Sequence, residues 1–231
     1  QFFPSFSSNQ NESNSMKKIA FIFALLLPIM ASAGVYDDME EAIIRGDSFD
    51  AIAVLKRGLD VNSVDRNGDT LLIQGVRRNM PEFIDYLVKR RARLNLRNKN
   101  GESALSIASF TGQLPLVKLL VEAGADVNLY GWPPLSYAAY NGHLAVADYL
   151  IKRGAEVNAK AANGGTALFF AARFGHEAVV ELLLKNGADP TVTDEYGETA
   201  VDWALKGKNT DIADMIRAVG GRSGKAVVLE F

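Results

Sequence analysis

The 231-residue sequence contains no cysteine and only two histidines, and its net charge is only −2. The absence of cysteine excludes disulfides, which a stacked helical array does not need. It also leaves no residue for a lipid anchor attached to cysteine, so we expect no stable membrane anchor. The small net charge argues against nucleic acid as a partner. An apolar run at residues 19–30 is too short to span a bilayer comfortably.

Residues 16–33 have the ordered parts of a secretory signal peptide: a basic start, the apolar run and small residues at a cleavage point. This pattern predicts cleavage between Ala33 and Gly34 and a periplasmic or secreted protein of a Gram-negative bacterium. A buried helix and an uncleaved anchor are the alternatives. Residues 1–15 are polar and precede the signal, so we expect them to be a disordered upstream segment.

The sequence repeats a short glycine motif, in which the second residue after glycine is Thr, Ser or Pro, five times. The intervals are 33, 30, 33 and 33 residues, a period typical of stacked repeats. The glycines are Gly68, Gly101, Gly131, Gly164 and Gly197.

Between these motifs lie two short helical patterns, the first rich in alanine and the second carrying a leucine and valine stripe. A second motif, such as Gly124-Ala125-Asp126-Val127-Asn128, follows the second helix. Glycines at the helix ends suit left-handed caps, and Asp65, Asn98 and Asp194 are expected to hold turns. The predicted units are residues 35–64, 65–97, 98–130, 131–160, 161–193 and 194–221, with a tail at 222–231. The first and last units are expected to be caps.

These motifs closely resemble the ankyrin repeat, as in Gly164-Gly165-Thr166-Ala167-Leu168 followed by Phe170-Ala171-Ala172 and Gly175-His176. The resemblance implies an all-α repeat solenoid of paired antiparallel helices with hairpin or loop fingers, about five to six units including caps. The histidine that the family places after its T-P-L motif is absent in every unit. This departure leaves open whether the hydrogen bonds that the histidine makes in the family are made in this chain.

The sequence offers no site for catalysis, a cofactor or a metal ion. His143 and His176 occupy the same repeat position, which predicts a structural role because neighbouring units are too far apart for shared metal ligation. The segment Gly220-Gly221-Arg222-Ser223-Gly224-Lys225-Ala226 departs from a phosphate-binding loop in its first glycine and in the residue after lysine. We therefore expect no enzyme.

The resemblance also implies a protein-binding surface on the fingers and the exposed side of the first helices. Aromatic and arginine side chains are frequent there, as at the energetic centres of interfaces. The alternative is that the aromatic rings pack on one another. The candidates are Arg66, Asp69, Arg77, Arg78, Lys99, Phe110, Tyr130, Trp132, Tyr140, Asn141, Arg173, Phe174 and Tyr196. The 30-residue unit shortens one finger beside Tyr130 and Trp132, which predicts a notch at the centre of the surface or, alternatively, a tolerated deletion.

The resulting expectation is an exported, monomeric, non-enzymatic module that binds a partner protein. Its resemblance to exported bacterial ankyrin-repeat proteins implies an accessory role beside a periplasmic enzyme. A secreted effector or a toxin-immunity protein is the alternative.

Overall fold

The computed structural model describes residues 34–224. The predicted upstream segment, residues 16–33 of the signal peptide and residues 225–231 of the tail lie outside the described residues. The chain divides into one compact unit that ends at Leu59 and a second that begins at Asp60.

The first unit contains a helical stretch over residues 34–45 (α1) and a helix Ser48–Lys56 (α2). Asp47 caps α2, because its Oδ1 accepts hydrogen bonds from the backbone N–H groups of Phe49 and Asp50 at 2.9 and 3.0 Å. Arg57, after the end of α2, pairs with Asp38 in α1. The first predicted unit, residues 35–64, therefore contains a pair of helices.

The compact unit that begins at Asp60 contains ten helices in five pairs within its described residues. The first helices of the pairs are α3 (Leu71–Arg77), α5 (Ala104–Phe110), α7 (Pro134–Tyr140), α9 (Ala167–Phe174) and α11 (Ala200–Lys206). The second helices are α4 (Pro81–Lys89), α6 (Leu114–Glu122), α8 (Leu144–Lys152), α10 (Glu177–Lys185) and α12 (Thr210–Ala218). First helices pack on first helices of adjacent pairs, and second helices on second helices.

Small side chains allow the first helices to approach one another. Ala138 and Ala139 in α7 and Ala171 and Ala172 in α9 are fully buried. The second helices bury a leucine and valine stripe, such as Leu116, Val117 and Leu120 in α6. The core is thus continuous from pair to pair, as the 33-residue period predicts.

The fingers that connect the pairs, residues 60–70, 93–103, 126–133, 156–166 and 189–199, are built on turns. Asp65 Oδ1 accepts from the backbone of Asn67 and Asp69, and Asp194 Oδ1 from Tyr196 and Glu198. The same slot in the second finger holds Asn98, whose Oδ1 accepts equivalent bonds. These turns confirm the roles predicted for the three residues. Within residues 34–224 the only β-type pairing is an isolated antiparallel bridge between Val64 and Thr70.

Other residues make local bonds in the slot of the missing family histidine. In α5, Ser106 and Ser103 form a reciprocal capping box, in which Ser103 N donates to Ser106 Oγ at 2.8 Å. In α11, Asp202 accepts from Thr199 N at 2.8 Å. In these two units, the residue at the position of the family histidine therefore caps the start of its own helix.

The two histidines join neighbouring pairs. His143 Nε2 lies 2.9 Å from the backbone oxygen of Phe110, and His176 Nε2 lies 2.9 Å from that of Tyr140. In the last pair Asn209 takes the equivalent place and donates to the backbone oxygens of Ala172 and Arg173. These contacts confirm the structural role predicted for both histidines.

The chain after α12 returns to the last unit. Thr199 Oγ1 donates to the backbone oxygen of Arg222 at 2.7 Å, and the Gly224 N–H donates to Asp202 Oδ2 at 2.8 Å. Ser223 also bonds to Asp202. Residues 222–224, predicted to belong to a tail, therefore bond to the N-terminal end of α11.

Candidate protein-binding surface

Three partly exposed aromatic rings lie next to one another among the predicted binding residues, and we call them the aromatic strip: Phe110, Tyr140 and Phe174. The ring centroids of Phe110 and Tyr140 are 6.0 Å apart, and those of Tyr140 and Phe174 are 4.3 Å apart. Their exposed fractions are 39%, 36% and 42%. The strip is therefore continuous across three units and accessible to solvent.

The strip is regular because each ring stands on the last residue of a first helix, α5, α7 or α9. The backbone at two of these positions is held by the next unit. The Phe110 oxygen accepts from Asn141 Nδ2 at 2.6 Å as well as contacting His143, and the Tyr140 oxygen contacts His176. Asn141, predicted as a binding residue, thus uses its amide to position Phe110.

A second layer of rings supports the strip from below. Phe170 lies 6.1 Å from Tyr140 and 5.5 Å from Trp132, measured between ring centroids. Tyr137 lies 5.7 Å from both Phe110 and Trp132. The aromatic rings therefore pack on one another, as the alternative predicts, and this packing includes the strip. The three residues of the strip nevertheless stay more than a third exposed.

Trp132 belongs to this supporting layer. The short finger brings its ring between Tyr137 and Phe170, so the ring fills the space beside the shortened finger. Tyr130, two residues earlier, is 84% exposed and contrasts with it. Of the two aromatic residues predicted to flank a notch, Tyr130 is therefore exposed and Trp132 is packed on other rings.

A charged network lies beside the Phe110 end of the surface and joins the first two fingers. Arg77 Nε donates to Asp69 Oδ2 at 2.8 Å, and its Nη2 donates to Glu102 Oε2 at 2.6 Å. Asn98 Nδ2 donates to Asp69 Oδ1 at 2.7 Å. Burial lowers the pKa of Arg77, but the hydrogen bonds and charges of Asp69 and Glu102 outweigh burial and raise it. Arg77 and Asp69 therefore act first as links between fingers.

The same network affects a supporting aromatic side chain. Burial raises the pKa of the Tyr137 hydroxyl, and the negative charge of Glu102 adds to this effect more than Arg77 offsets it. The Tyr137 phenol therefore remains protonated to higher pH than an exposed tyrosine, and its ring contacts Phe110 edge to face.

A second polar network lies in the last finger and α11, next to α9. Trp203 Nε1 donates to Asp194 Oδ2 at 2.9 Å, and Lys206 pairs with the buried Glu198. The Arg173 guanidinium lies over the Trp203 ring, 5.6 Å from its centroid. Arg173, a predicted binding residue, is therefore held on the edge of the surface.

The remaining predicted residues lie on finger tips or helix ends and are exposed. Tyr196 has an exposed fraction of 78%. Lys99 Nζ donates to the backbone oxygen of Arg66 at 2.8 Å and so joins adjacent finger tips. Arg78 is exposed at the end of α3.

Tyr137, Phe170 and Trp203 were not among the site residues predicted from the sequence. The first two precede Tyr140 and Phe174 by three and four residues, which is the spacing that places side chains on the same helix face. Helical spacing was thus the available signal. The Trp203 indole donates a hydrogen bond to Asp194, whose carboxylate is positioned by the turn of the last finger. No local sequence pattern reveals this contact.

Asp194→Asn tests the electrostatic part of this scaffold. Burial alone raises the pKa of Asp194, but bonds from the Glu198 backbone, the Trp203 indole and the Tyr196 backbone, with the Lys206 charge, lower it. Because its folded pKa is lowered, its stabilisation is present above the unfolded pKa of about 3.9 and is lost as pH falls through the folded value. We expect the variant to lose about 1–3 kcal/mol at pH 7, since the indole N–H loses its acceptor.

Urea denaturation at pH 7 and at pH 2–3 measures this difference. The gap between Asp194→Asn and the unsubstituted protein should shrink at the lower pH. Asp211→Asn, at an exposed position in α12, is the control and should change little at either pH. A gap of constant size at both pH values would contradict the assigned role.

Comparison with known proteins agrees with this architecture. A family model of ankyrin repeats, which holds three copies, matches residues 39–130, 76–161 and 135–221. The chain therefore belongs to the ankyrin repeat family and is an all-α repeat solenoid. Ankyrin repeats are protein-binding modules.

The relatives with curated descriptions share repeats with only part of this chain. A B-cell lymphoma 3 protein homolog of Mus musculus is 39% identical over 79 residues, 34% of this chain and 18% of the relative. The ankyrin repeat domain-containing protein SAT10 of Stachybotrys chartarum is 31% identical over 107 residues, 46% of this chain and 6% of the relative. The human ankyrin repeat domain-containing protein 31 is 62% identical over 37 residues, 16% of this chain and 2% of the relative. The matches thus span less than a fifth of each relative.

Within residues 34–224, no helix combines the length and apolar character that a membrane crossing requires. In the same range, no three His, Asp or Glu side chains lie close enough together to hold a metal ion.

Proposed function

We propose that this chain is an exported module that binds a partner protein through the aromatic strip and the finger tips beside it. The observation that carries the proposal is the continuous contact of Phe110, Tyr140 and Phe174 on an exposed face. Exposed contiguous apolar surface marks interaction sites. Aromatic and arginine side chains are also enriched among residues that dominate binding energy.

Binding proceeds by presentation of an ordered surface, without a covalent step. The supporting rings and the bonds from His143 and His176 hold the strip in one arrangement before a partner arrives. Side chains that are already ordered lose less entropy on association. The exposed Arg66, Arg78 and Tyr196 on the margin supply polar contacts and selectivity.

A double variant of the strip tests the binding face. Phe110→Ser/Phe174→Ser removes two rings that are only partly buried, so the fold should survive. We expect at least an approximately tenfold loss in affinity for the partner, consistent with the loss of two interface anchors. Affinity capture from periplasmic extract identifies the partner, and titration of the purified partner measures the affinity.

The matched control is Tyr36→Ser/Phe49→Ser, which removes two exposed aromatic side chains from the first unit. Its affinity should equal that of the unsubstituted protein. The proposal fails if the strip variant, shown to be folded by its thermal transition, binds the partner as tightly as the control does.

Export is the second part of the proposal and rests on residues 16–33. Expression of the full sequence in a Gram-negative host should yield a periplasmic protein whose mature chain begins at Gly34, which N-terminal sequencing determines. An uncleaved protein retained in the cytosol would reject export and leave the binding face untouched. An accessory role beside a periplasmic enzyme is supported if the captured partner is such an enzyme.

A further inference from the structure

Four basic residues fall within five positions at the end of α4, and we call them the basic patch: Lys89, Arg90, Arg91 and Arg93. All four are exposed. Lys89 pairs with Asp85 at 2.6 Å. The three arginine side chains make no ion pair with any residue in the range 34–224. The patch lies on a second helix and its following loop, whereas the aromatic strip stands on first helices.

Arg91 occupies a backbone position that favours glycine. Its φ is 61°, in the left-handed region. The equivalent residues after the other second helices are Gly58, Gly124, Gly154, Gly187 and Gly220, all with positive φ. A side chain in this region is disfavoured by contact between Cβ and the following carbonyl group. The repeat of residues 65–97 therefore carries an arginine where the other repeats have glycine.

Arg93 replaces an acidic residue that stabilises its loop in other units. Asp60 Oδ1 accepts from Asn62 N at 2.9 Å, and Asp126 Oδ1 accepts from Asn128 N at 2.8 Å. An arginine side chain has no acceptor and cannot make this bond. Two departures from the repeat pattern thus each introduce a positive charge at the expense of local stability.

Basic residues at the end of a helix also interact favourably with the helix dipole, and Lys89 and Arg90 are explained by this effect. Arg91 and Arg93 lie beyond the helix, in the loop that follows, and the two lost stabilising features fall on them. Helix electrostatics therefore do not account for the whole patch.

The surroundings define the kind of partner that fits. The equivalent positions in the units on either side of Arg93 are the acidic Asp60 and Asp126. A long polyanion or a charged membrane surface laid along this row would meet both carboxylates. A short segment of carboxylate side chains avoids them, and guanidinium groups bind carboxylates in a bidentate geometry.

We propose that the basic patch binds a short acidic segment, rich in aspartate and glutamate, of a protein partner. Arg91 and Arg93 supply the paired hydrogen bonds, and Lys89 and Arg90 add positive charge beside them. This binding site goes beyond the proposed aromatic face and does not depend on it.

The test uses the purified protein and a fluorescein-labelled peptide of six glutamates, with a peptide of six glutamines as the neutral probe. Arg91→Gly/Arg93→Asp restores the repeat pattern. We expect at least an approximately tenfold weaker affinity for the glutamate peptide, measured by fluorescence anisotropy at low salt. The same variant should gain about 2–4 °C in Tm, because the glycine and the loop bond return.

The matched control is Lys152→Gln/Lys185→Glu, which lowers the net charge by the same amount on other second helices. The control should bind the glutamate peptide as the unsubstituted protein does. Equal affinity of the patch variant and the control overturns the proposal. Tighter binding to a DNA duplex or to vesicles containing phosphatidylglycerol than to the peptide overturns the assignment of an acidic protein segment.

Discussion

Replacing Phe170 with alanine is expected to lower the free energy of unfolding by about 3–5 kcal/mol, the range for removal of a buried aromatic side chain. Phe170 is only 2% exposed. Its ring contacts Trp132 at 5.5 Å, Tyr140 at 6.1 Å and Trp203 at 5.7 Å between centroids. One side chain thus joins rings from three successive units, so its removal weakens the interfaces on both sides of α9.

Urea denaturation followed by far-UV circular dichroism measures the loss, and tryptophan fluorescence reports on it locally because both tryptophans contact Phe170. Stability in repeat arrays depends on interfaces between neighbouring units. We therefore expect the fluorescence transition of the variant to precede its circular dichroism transition.

Phe174→Ala is the matched control, since the ring stands one helical turn further along α9 and is 42% exposed. It should cost about 1–2 kcal/mol, because much of its surface is already in water. Equal losses for the two variants would contradict the assignment of Phe170 to the supporting layer.

The fold could be predicted because its determinants are local in sequence. The alanine pairs, the leucine stripes and the turn residues Asp65, Asn98 and Asp194 can each be recognised within one unit, and the 33-residue period specifies how units follow one another. The same alignment identifies the positions at which Asn79, Arg91 and Lys208 adopt positive φ, because other units place glycine there.

The surface was harder to predict because its rings meet across units. The sequence identifies Phe110, Tyr140 and Phe174 as candidates, but which ring lies above and which lies below depends on the packing of one unit on the next. Trp132 illustrates this limit, since the short finger turns its ring toward Phe170 and away from a finger tip. Arg77 likewise bonds to Glu102, 25 residues later.

Gly142→Ala is expected to lower the free energy of unfolding by about 2–4 kcal/mol, from backbone strain and steric overlap together. Gly142 has φ of 71°, which disfavours any side chain. A Cβ at this position would also lie 2.8 Å from Cε1 and from Cγ of His176. The ring would have to move, and its contact with the Tyr140 backbone oxygen would be lost.

Gly154→Ala separates the two effects, because Gly154 has φ of 89° but no atom lies within 4 Å of the position of its Cβ. It should show the cost of strain alone, about 1–2 kcal/mol, by urea denaturation. Combining Gly142→Ala with His176→Ala should reduce the cost of the glycine substitution to the same value, since the overlapping ring is gone. If Gly142→Ala costs as much with His176 removed as with it present, the histidine contact does not limit this position. Agreement would show that this glycine is required both by the turn after α7 and by the side chain that joins the next unit to the aromatic strip.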